Sequence, residues 1–213
     1  MMKLYNYFRS SASYRVRIAA NLKGIAYEYV SINLARGGSR APEYEALNPL
    51  GRVPTLEDDG RVFGQSLAIC EYLEETHPLP PLLPRDFAGR ARVRAIALAV
   101  ACEIHPLHGG RAQSYLGRVF NATEEQRAEW SRYWMVEGFR AIELMLAGSP
   151  ETGRFCHGDT PTLADVFIVP QVYNAERSGV DMTPFPTIRR ICEECNRIGA
   201  FDQARPERQP DAV

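Results

Sequence analysis

The chain of 213 residues has little of three things: lysine, excess charge of either sign, and long apolar runs. Lysine occurs only at positions 3 and 23, so 23 of the 25 basic residues are arginine, and 26 acidic residues balance them. This near-neutral balance gives no electrostatic case for binding nucleic acid or an anionic membrane. The sequence has no run of about 18 apolar residues and no basic flank ahead of an apolar core at its start. We therefore expect a soluble cytoplasmic protein.

Cysteine is sparse, and the number of cysteines is odd, which favours a reducing compartment over a disulfide framework. The five cysteines are scattered at positions 70, 102, 156, 192 and 195. Cys192 and Cys195 have the spacing of a redox or zinc motif, but they lie late in a helical pattern without a second ligand pair. His105 and His108 also have metal spacing, but Pro106 separates them. The sequence therefore predicts helix cysteines and no metal site.

A proline-rich segment, residues 76–84, divides the chain and indicates a stiff linker. Before it, predicted strands and helices alternate over residues 3–7, 13–23, 27–32, 42–47, 55–57, 61–63 and 66–75. The turn at residues 58–60 predicts a hairpin between two of these strands. After the linker only helical patterns are present, over residues 90–120, 124–147, 162–178 and 186–196. The sequence predicts an α/β domain over residues 1–83 followed by an all-helical domain over residues 84–213.

Val53-Pro54 and Gln65-Ser66 carry the first functional signal. Cis peptide bonds occur almost only before proline, so Val53-Pro54 is a candidate cis turn at the start of a strand. The exposed amide and carbonyl of Val53 could then pair with an extended peptide. Ser66 begins a helix, where free N–H groups and the positive end of the dipole attract a carboxylate. Together these features suggest a glutathione pocket, although a plain turn and an ordinary N-cap would explain either one alone.

A serine cluster follows the first predicted strand. Ser10, Ser11 and Ser13 precede an apolar helical pattern that Gly24 ends. A thiol reacts as a nucleophile in its thiolate form, and the pKa of a free cysteine thiol is about 8.5. Hydroxyl and amide groups at a helix N-terminus stabilise such an anion, although helix capping is the alternative role of these serines.

These motifs resemble the zeta class of glutathione transferases, which contains the maleylacetoacetate and maleylpyruvate isomerases. Residues 10–18 are similar to the family signature Ser-Ser-Cys-Ser-Trp-Arg-Val-Arg-Ile, with Ala12 in place of the cysteine. The similarity continues through residues 46–49, 53–56, 65–69, 71–75, 103–107 and 158–165. The resemblance implies a thioredoxin-like first domain, a helical second domain, a homodimer and glutathione as cofactor. Ala12 removes any thiol role of the chain at that point, whereas glutathione supplies its own thiol.

The resemblance also implies roles for single residues. Ser10 matches the residue that hydrogen-bonds to the thiolate. Residues implied to bind glutathione are Ser10, Ser11, Ser13, Arg15, Val53, Pro54, Gln65, Ser66 and His105. Arginines implied to hold the substrate carboxylates are Arg9, Arg111 and Arg177, and guanidinium groups suit planar carboxylates. A structural histidine and solvated surface arginines stay open as alternatives, and Thr162 with Asp165 forms a helix-start signature with a structural role.

The predicted function is a glutathione-dependent cis–trans isomerase that acts on a maleyl-type diacid and returns glutathione unchanged. An alternative is a conjugating transferase or dehalogenase that consumes glutathione, and a third is a non-catalytic binding protein. The three arginines favour maleylpyruvate over maleylacetoacetate as the dicarboxylate substrate, and both stay open.

Overall fold

The computed structural model describes residues 1–212, which form two compact units. The first unit contains Met1–Leu82 and the segment from Asn196 onward, and the second contains Leu83–Cys195. This grouping differs from the linear division predicted at residue 83, because the C-terminal segment returns to the first unit. There Asn21 Nδ2 donates a hydrogen bond to the Ala200 carbonyl at 3.1 Å.

The first unit contains a four-stranded mixed sheet. Its strands are β1 (Lys3–Asn6), β2 (Glu28–Ser31), β3 (Thr55–Asp58) and β4 (Arg61–Gly64). Their order is β2-β1-β3-β4, with β1 parallel to β2 and antiparallel to β3. Asp59 and Gly60 join β3 to β4 with φ angles of 47° and 71°, as a tight hairpin turn requires. The four predicted strands and the hairpin are confirmed.

Four helices accompany this sheet. They are α1 (Ser11–Leu22), α2 (Pro42–Leu47), α3 (Ser66–Thr76) and, late in the chain, α10 (Gly199–Gln203). Helices α1 and α3 pack against each other. Their apolar residues Ile18 and Ile69 are fully buried, as is Leu4 of β1. The sheet thus fixes the positions from which α1 and α3 begin, and these two helix starts carry most of the predicted glutathione-binding residues.

The second unit contains only helices, as predicted. They are α4 (Phe87–Leu98), α5 (His105–His108), α6 (Gly110–Phe120), α7 (Glu124–Ala147), α8 (Leu163–Arg177) and α9 (Pro186–Asn196). The predicted single helix over residues 90–120 is wrong. A π-helical turn, Ala99–Ile104, separates α4 from α5, and Gly109 is extended between α5 and α6. Pro106 explains the break because it has no N–H to donate and is tolerated only in the first turn of α5.

The π-helical turn lies directly against α7. A Cβ added to Gly138 of α7 would lie 2.2 Å from Ile104 Cγ1, so only glycine permits this approach. Ile104 is the residue before His105, and its side chain is fully buried. The close contact with α7 therefore fixes the backbone from which His105 projects.

Asp165 stabilises the start of α8. One of its carboxylate oxygens accepts hydrogen bonds from Thr162 N and Oγ1 at 2.7 and 2.8 Å, and the other accepts one from Cys156 N at 2.8 Å. Burial raises the pKa of Asp165, while these hydrogen bonds oppose the rise. The predicted structural role of this helix start is confirmed.

The cysteines of α9 lie in the interior of the second unit. Cys192 and Cys195 are buried, and burial raises the pKa of both thiols. Across residues 1–212, no group of three or more histidine, cysteine or acidic side chains is arranged to hold a metal ion. Within the same residues, no helix has both the length and the apolar character needed to cross a membrane.

Candidate active site

The start of α1 is built by a short turn after β1. Ser10 N donates to the Tyr7 carbonyl at 2.9 Å, which closes the turn over residues 7–10. Ser10 then caps α1, because its Oγ accepts a hydrogen bond from Ser13 N at 3.1 Å. A hydroxyl that accepts one hydrogen bond still has its own proton to donate. Ser10 can therefore cap the helix and donate to an anion at the helix N-terminus.

The other two serines are buried in the first turn of α1. Ser11 is 8% exposed and Ser13 is fully buried. The Oγ of Ser13 has no hydrogen-bond partner within residues 1–212. A buried hydroxyl without a partner is costly, by about 1–3 kcal/mol, and such a group in a folded protein calls for an explanation such as a functional role.

The start of α3 lies next to a buried arginine of α1. Arg15 is 2% exposed, and its Nη1 donates to Ser66 Oγ at 3.2 Å. Gln65 precedes α3 with φ 68° and ψ 120°, and its side chain makes no capping hydrogen bond. A non-glycine residue in this backbone region is strained, and strain of this kind concentrates at functional sites. An uncapped helix N-terminus beside a guanidinium is suited to bind a carboxylate.

Val53 and Pro54 form the turn that leads into β3. Their peptide bond is cis, which confirms the prediction. Within residues 1–212, the backbone N and O of Val53 have no backbone hydrogen-bond partner. Side chains instead hold the preceding carbonyl, that of Arg52, which accepts hydrogen bonds from Tyr44 Oη at 2.6 Å, Asn48 Nδ2 at 2.9 Å and Thr55 Oγ1 at 3.4 Å. The turn is fixed while the polar atoms of Val53 stay available to an extended peptide.

Asn48 also reaches into β3, and its role is missing from the sequence prediction. Its Nδ2 lies 2.8 Å from Thr55 Oγ1, and its Oδ1 accepts from Leu50 N at 3.1 Å. Asn48 is only 6% exposed. The Asn-Pro-Leu-Gly sequence at residues 48–51 is a turn signal, and it could have identified this residue as the support of the Val53 turn.

Arg9 is the one predicted substrate-binding residue that lies in the first unit. Its side chain is exposed, and its guanidinium carbon lies 5.3 Å from the centre of the Phe8 ring. The structure therefore brings Arg9 and Ser10 together on one turn, and it brings Arg15 and Ser66 together at two helix starts.

The second unit carries the other three predicted site residues. His105 begins α5, and its ring centre lies 5.5 Å from that of His108. Arg111 is exposed on the first turn of α6. Arg177 is the exposed last residue of α8, with its guanidinium carbon 5.8 Å from the centre of the Tyr173 ring.

The donor groups of the first unit fit glutathione. Glutathione has a carboxylate at its γ-glutamyl end, a peptide backbone at its cysteine and a thiol. The matching groups are the Arg15–Ser66 pair at the start of α3, the free backbone of Val53, and the Ser10 hydroxyl at the start of α1. Each is a hydrogen-bonding group of the type that the corresponding part of the tripeptide needs.

Comparisons with known proteins agree with this fit. The N-terminal domain model of glutathione S-transferase matches residues 4–81. Maleylpyruvate isomerase of a Ralstonia species is 47% identical over 212 residues, covering 100% of both chains. Among solved structures, the holo structure of a maleylpyruvate isomerase, a bacterial zeta-class glutathione transferase, has a TM-score of 0.97 at 47% identity, covering 99% of this chain and 100% of that one. The maleylacetoacetate isomerase of Methylobacterium extorquens AM1 with bound malonate and glutathione has a TM-score of 0.96 at 42% identity, covering 99% of each chain.

The fold prediction is confirmed by the same findings, since a thioredoxin-like domain followed by a helical domain is the glutathione transferase fold. Identity of 47% over the full length of both chains is far above what a shared fold alone produces. The chain belongs to the zeta class of glutathione transferases, the family of the maleylpyruvate and maleylacetoacetate isomerases.

Proposed function

We propose that this protein is a cytoplasmic enzyme of aromatic-compound catabolism that isomerises maleylpyruvate or maleylacetoacetate to the fumaryl isomer, with glutathione as cofactor. The observation that carries the proposal is the buried Arg15–Ser66 pair in a chain that is 47% identical to a maleylpyruvate isomerase over its full length. The pair supports the proposal because a buried guanidinium beside a helix N-terminus suits a carboxylate.

Glutathione, when bound, would supply the thiolate that adds to one carbon of the cis double bond, which becomes a single bond and can rotate, and that is then expelled as the double bond re-forms in the trans geometry. The chain's contribution at the sulfur is the Ser10 hydroxyl, which keeps a proton to donate while its oxygen caps α1. A hydrogen bond donated to an anion favours the charged form, and the N-terminus of α1 acts in the same direction. Ser10 therefore lowers the pKa of the thiol and stabilises the sulfur anion whenever it is free.

The remaining contacts orient the cofactor. Arg15 and Ser66 hold the γ-glutamyl carboxylate, and Val53 pairs with the cysteinyl backbone across the turn that Pro54 completes. Gln65, Ser11, Ser13 and His105 complete the predicted set. Orientation of this kind converts an encounter between two molecules into a reaction within one complex, which contributes several kcal/mol to catalysis.

Arg9, Arg111 and Arg177 bind the carboxylates and the negative charge that develops on the substrate. All three side chains are exposed in the protomer, so they are available to a dianionic ligand. The relative from Methylobacterium extorquens was solved with bound malonate, itself a dicarboxylate, and bound glutathione. Isomerisation changes neither the number of hydrogens nor the oxidation state of the substrate. Anion stabilisation and orientation by these residues therefore suffice, without a general base.

The proposed active form is a homodimer. Helix α4 presents an apolar stripe at the spacing of one helix face, formed by Phe87, Ala91, Ala95 and Leu98. Phe87 is 91% exposed and Leu98 is 40% exposed, and contiguous exposed apolar area marks interaction surfaces. Ala91→Arg should shift the protein from dimer to monomer in sedimentation velocity. The matched control is Ala147→Arg at the exposed end of α7, which should leave the dimer intact.

Proton NMR of the product tests the proposed reaction. The protein is incubated with maleylpyruvate, and separately with maleylacetoacetate, in the presence and absence of glutathione. We expect the vinyl coupling of the trans isomer to appear only when protein and glutathione are both present. Failure to convert either substrate would overturn the proposal.

A further inference from the structure

The C-terminal segment is hydrogen-bonded to the turn that carries Arg9 and Ser10. Asp211 Oδ2 accepts a hydrogen bond from the backbone N–H of Phe8 at 3.3 Å, although the two residues are 203 positions apart. The same carboxylate accepts from Ser31 Oγ at 2.8 Å and from the hydroxyl of Tyr29. All of these residues belong to the first unit. Asp211 thus ties the turn to strand β2.

Arg17 donates hydrogen bonds to backbone carbonyl groups of the same turn. Its side chain is fully buried, and its Nη1 and Nη2 donate to the carbonyls of Tyr7 and Phe8 at 3.4 and 3.0 Å. Its Nε donates to the carbonyl of Ala204 at 3.0 Å, again in the C-terminal segment. The Phe8 residue is therefore bound at its N–H by a carboxylate and at its carbonyl by a guanidinium.

Arg17 and Asp211, which bind the carbonyl and the N–H of Phe8, carry opposite charges. Burial lowers the pKa of Arg17, and the negative charge of Asp211 is among the effects that raise it again. A buried cation is costly unless it is hydrogen-bonded and has opposite charge nearby. Removing the carboxylate would abolish the hydrogen bond to the Phe8 N–H and leave the turn held only at its carbonyl side by Arg17.

The turn has little freedom once Phe8 is fixed. Ser10 N donates to the Tyr7 carbonyl at 2.9 Å, so Phe8 and Arg9 are the two central residues of a four-residue turn. Holding the peptide groups of Phe8 determines where Arg9 leaves the turn and where Ser10 begins α1. A misplacement of about 1 Å at such a point can cost about a hundredfold in rate.

We propose that Asp211 is a positioning residue for the reaction: through Phe8 it fixes the turn that carries Arg9 and Ser10. The proposal rests on the proposed function for the roles of those two residues. It gives a positioning role to the C-terminal segment, which supplies no predicted contact to glutathione or to the substrate.

Three variants test the proposal. Asp211→Ala removes the carboxylate, and Asp211→Asn keeps its size and one oxygen acceptor without the charge. The matched control is Asp202→Asn in the same segment, since the Asp202 carboxylate pairs with Arg205 and Arg208 at the surface and makes no contact with the turn over residues 7–10 among residues 1–212. Amide hydrogen exchange, turnover and the ultraviolet titration of the thiol of bound glutathione are measured for each variant and for the wild type.

For Asp211→Ala we expect amide exchange at Phe8 to accelerate by about tenfold or more, since a hydrogen bond to a charged group contributes about 1.5–3 kcal/mol. We expect kcat to fall by about tenfold to a hundredfold, the pKa of the bound thiol to rise, and Asp211→Asn to be intermediate. Asp202→Asn should match the wild type. A merely structural role would lower thermal stability and leave kcat of the folded enzyme and the thiol pKa unchanged.

Wild-type values of Phe8 exchange, kcat and thiol pKa in folded Asp211→Ala would overturn the proposal. Failure of the wild type to convert either maleyl substrate would overturn the proposed function instead. In that event the exchange and thiol measurements still decide whether Asp211 positions the turn, because they need only glutathione.

Discussion

Arg15 of α1 donates a hydrogen bond from Nη1 to the hydroxyl oxygen of Ser66, the first residue of α3, at 3.2 Å with both residues buried. One guanidinium therefore joins the starts of the two helices that carry most of the predicted glutathione contacts. A buried cation beside an uncapped helix N-terminus is an arrangement suited to a carboxylate, and glutathione supplies one at its γ-glutamyl end.

Ser66→Ala should weaken glutathione binding by about tenfold to a hundredfold, because a hydrogen bond to a charged group contributes about 1.5–3 kcal/mol. Isothermal titration with glutathione measures the change. Thr76→Ala is the matched control, since Thr76 lies in the last turn of α3 and its hydroxyl donates to the Tyr72 carbonyl. Equal affinity of Ser66→Ala and Thr76→Ala for glutathione would remove Ser66 from the binding site.

Ser10→Ala should lower kcat by about tenfold to a thousandfold, by comparison with the loss of one donor to an oxyanion. The substitution also removes the cap of α1, which contributes about 1 kcal/mol to stability. Thermal unfolding separates the two effects, and Ser10→Thr, which keeps both the cap and the hydroxyl, should recover part of kcat. A folded Ser10→Ala enzyme with unchanged kcat would contradict the proposed role.

Arg9→Ala, Arg111→Ala and Arg177→Ala should each raise KM for the diacid by about tenfold or more while glutathione affinity barely changes, because charge-assisted pairs are worth about 1.5–3 kcal/mol. Arg118→Ala is the control, since Arg118 is exposed on α6 like Arg111 and lies over an aromatic ring like Arg9 and Arg177, but is not among the predicted substrate-binding residues. Steady-state kinetics with each ligand varied in turn gives both constants. If both affinities fell equally, the arginines would serve the fold or the peptide site instead.

Tyr5→Phe should raise the pKa of Glu57. The Tyr5 hydroxyl donates to Glu57 Oε2 at 2.8 Å and lowers that pKa, with a smaller effect from Lys3, whose Nζ is 3.6 Å from the carboxylate. The same bond raises the pKa of Tyr5 to about 12. The Glu57 contribution to stability is therefore present above about pH 4.3, its ordinary value, and is lost as pH falls through the lowered pKa. The Tyr5 contribution is present below about pH 10 and is lost as pH rises through about 12.

NMR titration of the Glu57 carboxyl carbon measures the pKa of Glu57 in the wild type and in Tyr5→Phe. Urea unfolding between pH 3 and 7 measures how the contribution of Glu57 to stability depends on pH. The stability difference between wild type and Tyr5→Phe should shrink as pH falls through the wild-type pKa of Glu57. Tyr115→Phe, at an exposed tyrosine of α6, should show no such trend. An unchanged Glu57 pKa in Tyr5→Phe would contradict the coupling.

Local signals were sufficient for much of the fold. Helix α7 has its predicted bounds because Thr123 and Gln126 form a reciprocal capping box at its start. Helix α9 begins at Pro186 as predicted, since proline favours the first helical position. The cis bond at Val53-Pro54 also follows from the local sequence.

Long-range contacts were beyond the sequence. The bond from Phe8 N to Asp211 joins residues 203 positions apart, and a single sequence carries no pattern that pairs them. Arg17 is fully buried among backbone carbonyls, yet an arginine in an amphipathic pattern is usually assigned to the solvent face. The break before α6 was missed although Pro106 and the pair Gly109-Gly110 are local signals that could have indicated it.

Under the proposed function, glutathione acts as a catalyst and is not consumed. The direct measurement is to incubate the protein with maleylpyruvate and glutathione well below the substrate concentration, and to follow both the loss of the cis absorbance and the amount of free thiol. Full conversion to fumarylpyruvate with the thiol retained is the expected result. Conversion that stops when the thiol is exhausted would show that glutathione is consumed and place the protein among the conjugating transferases.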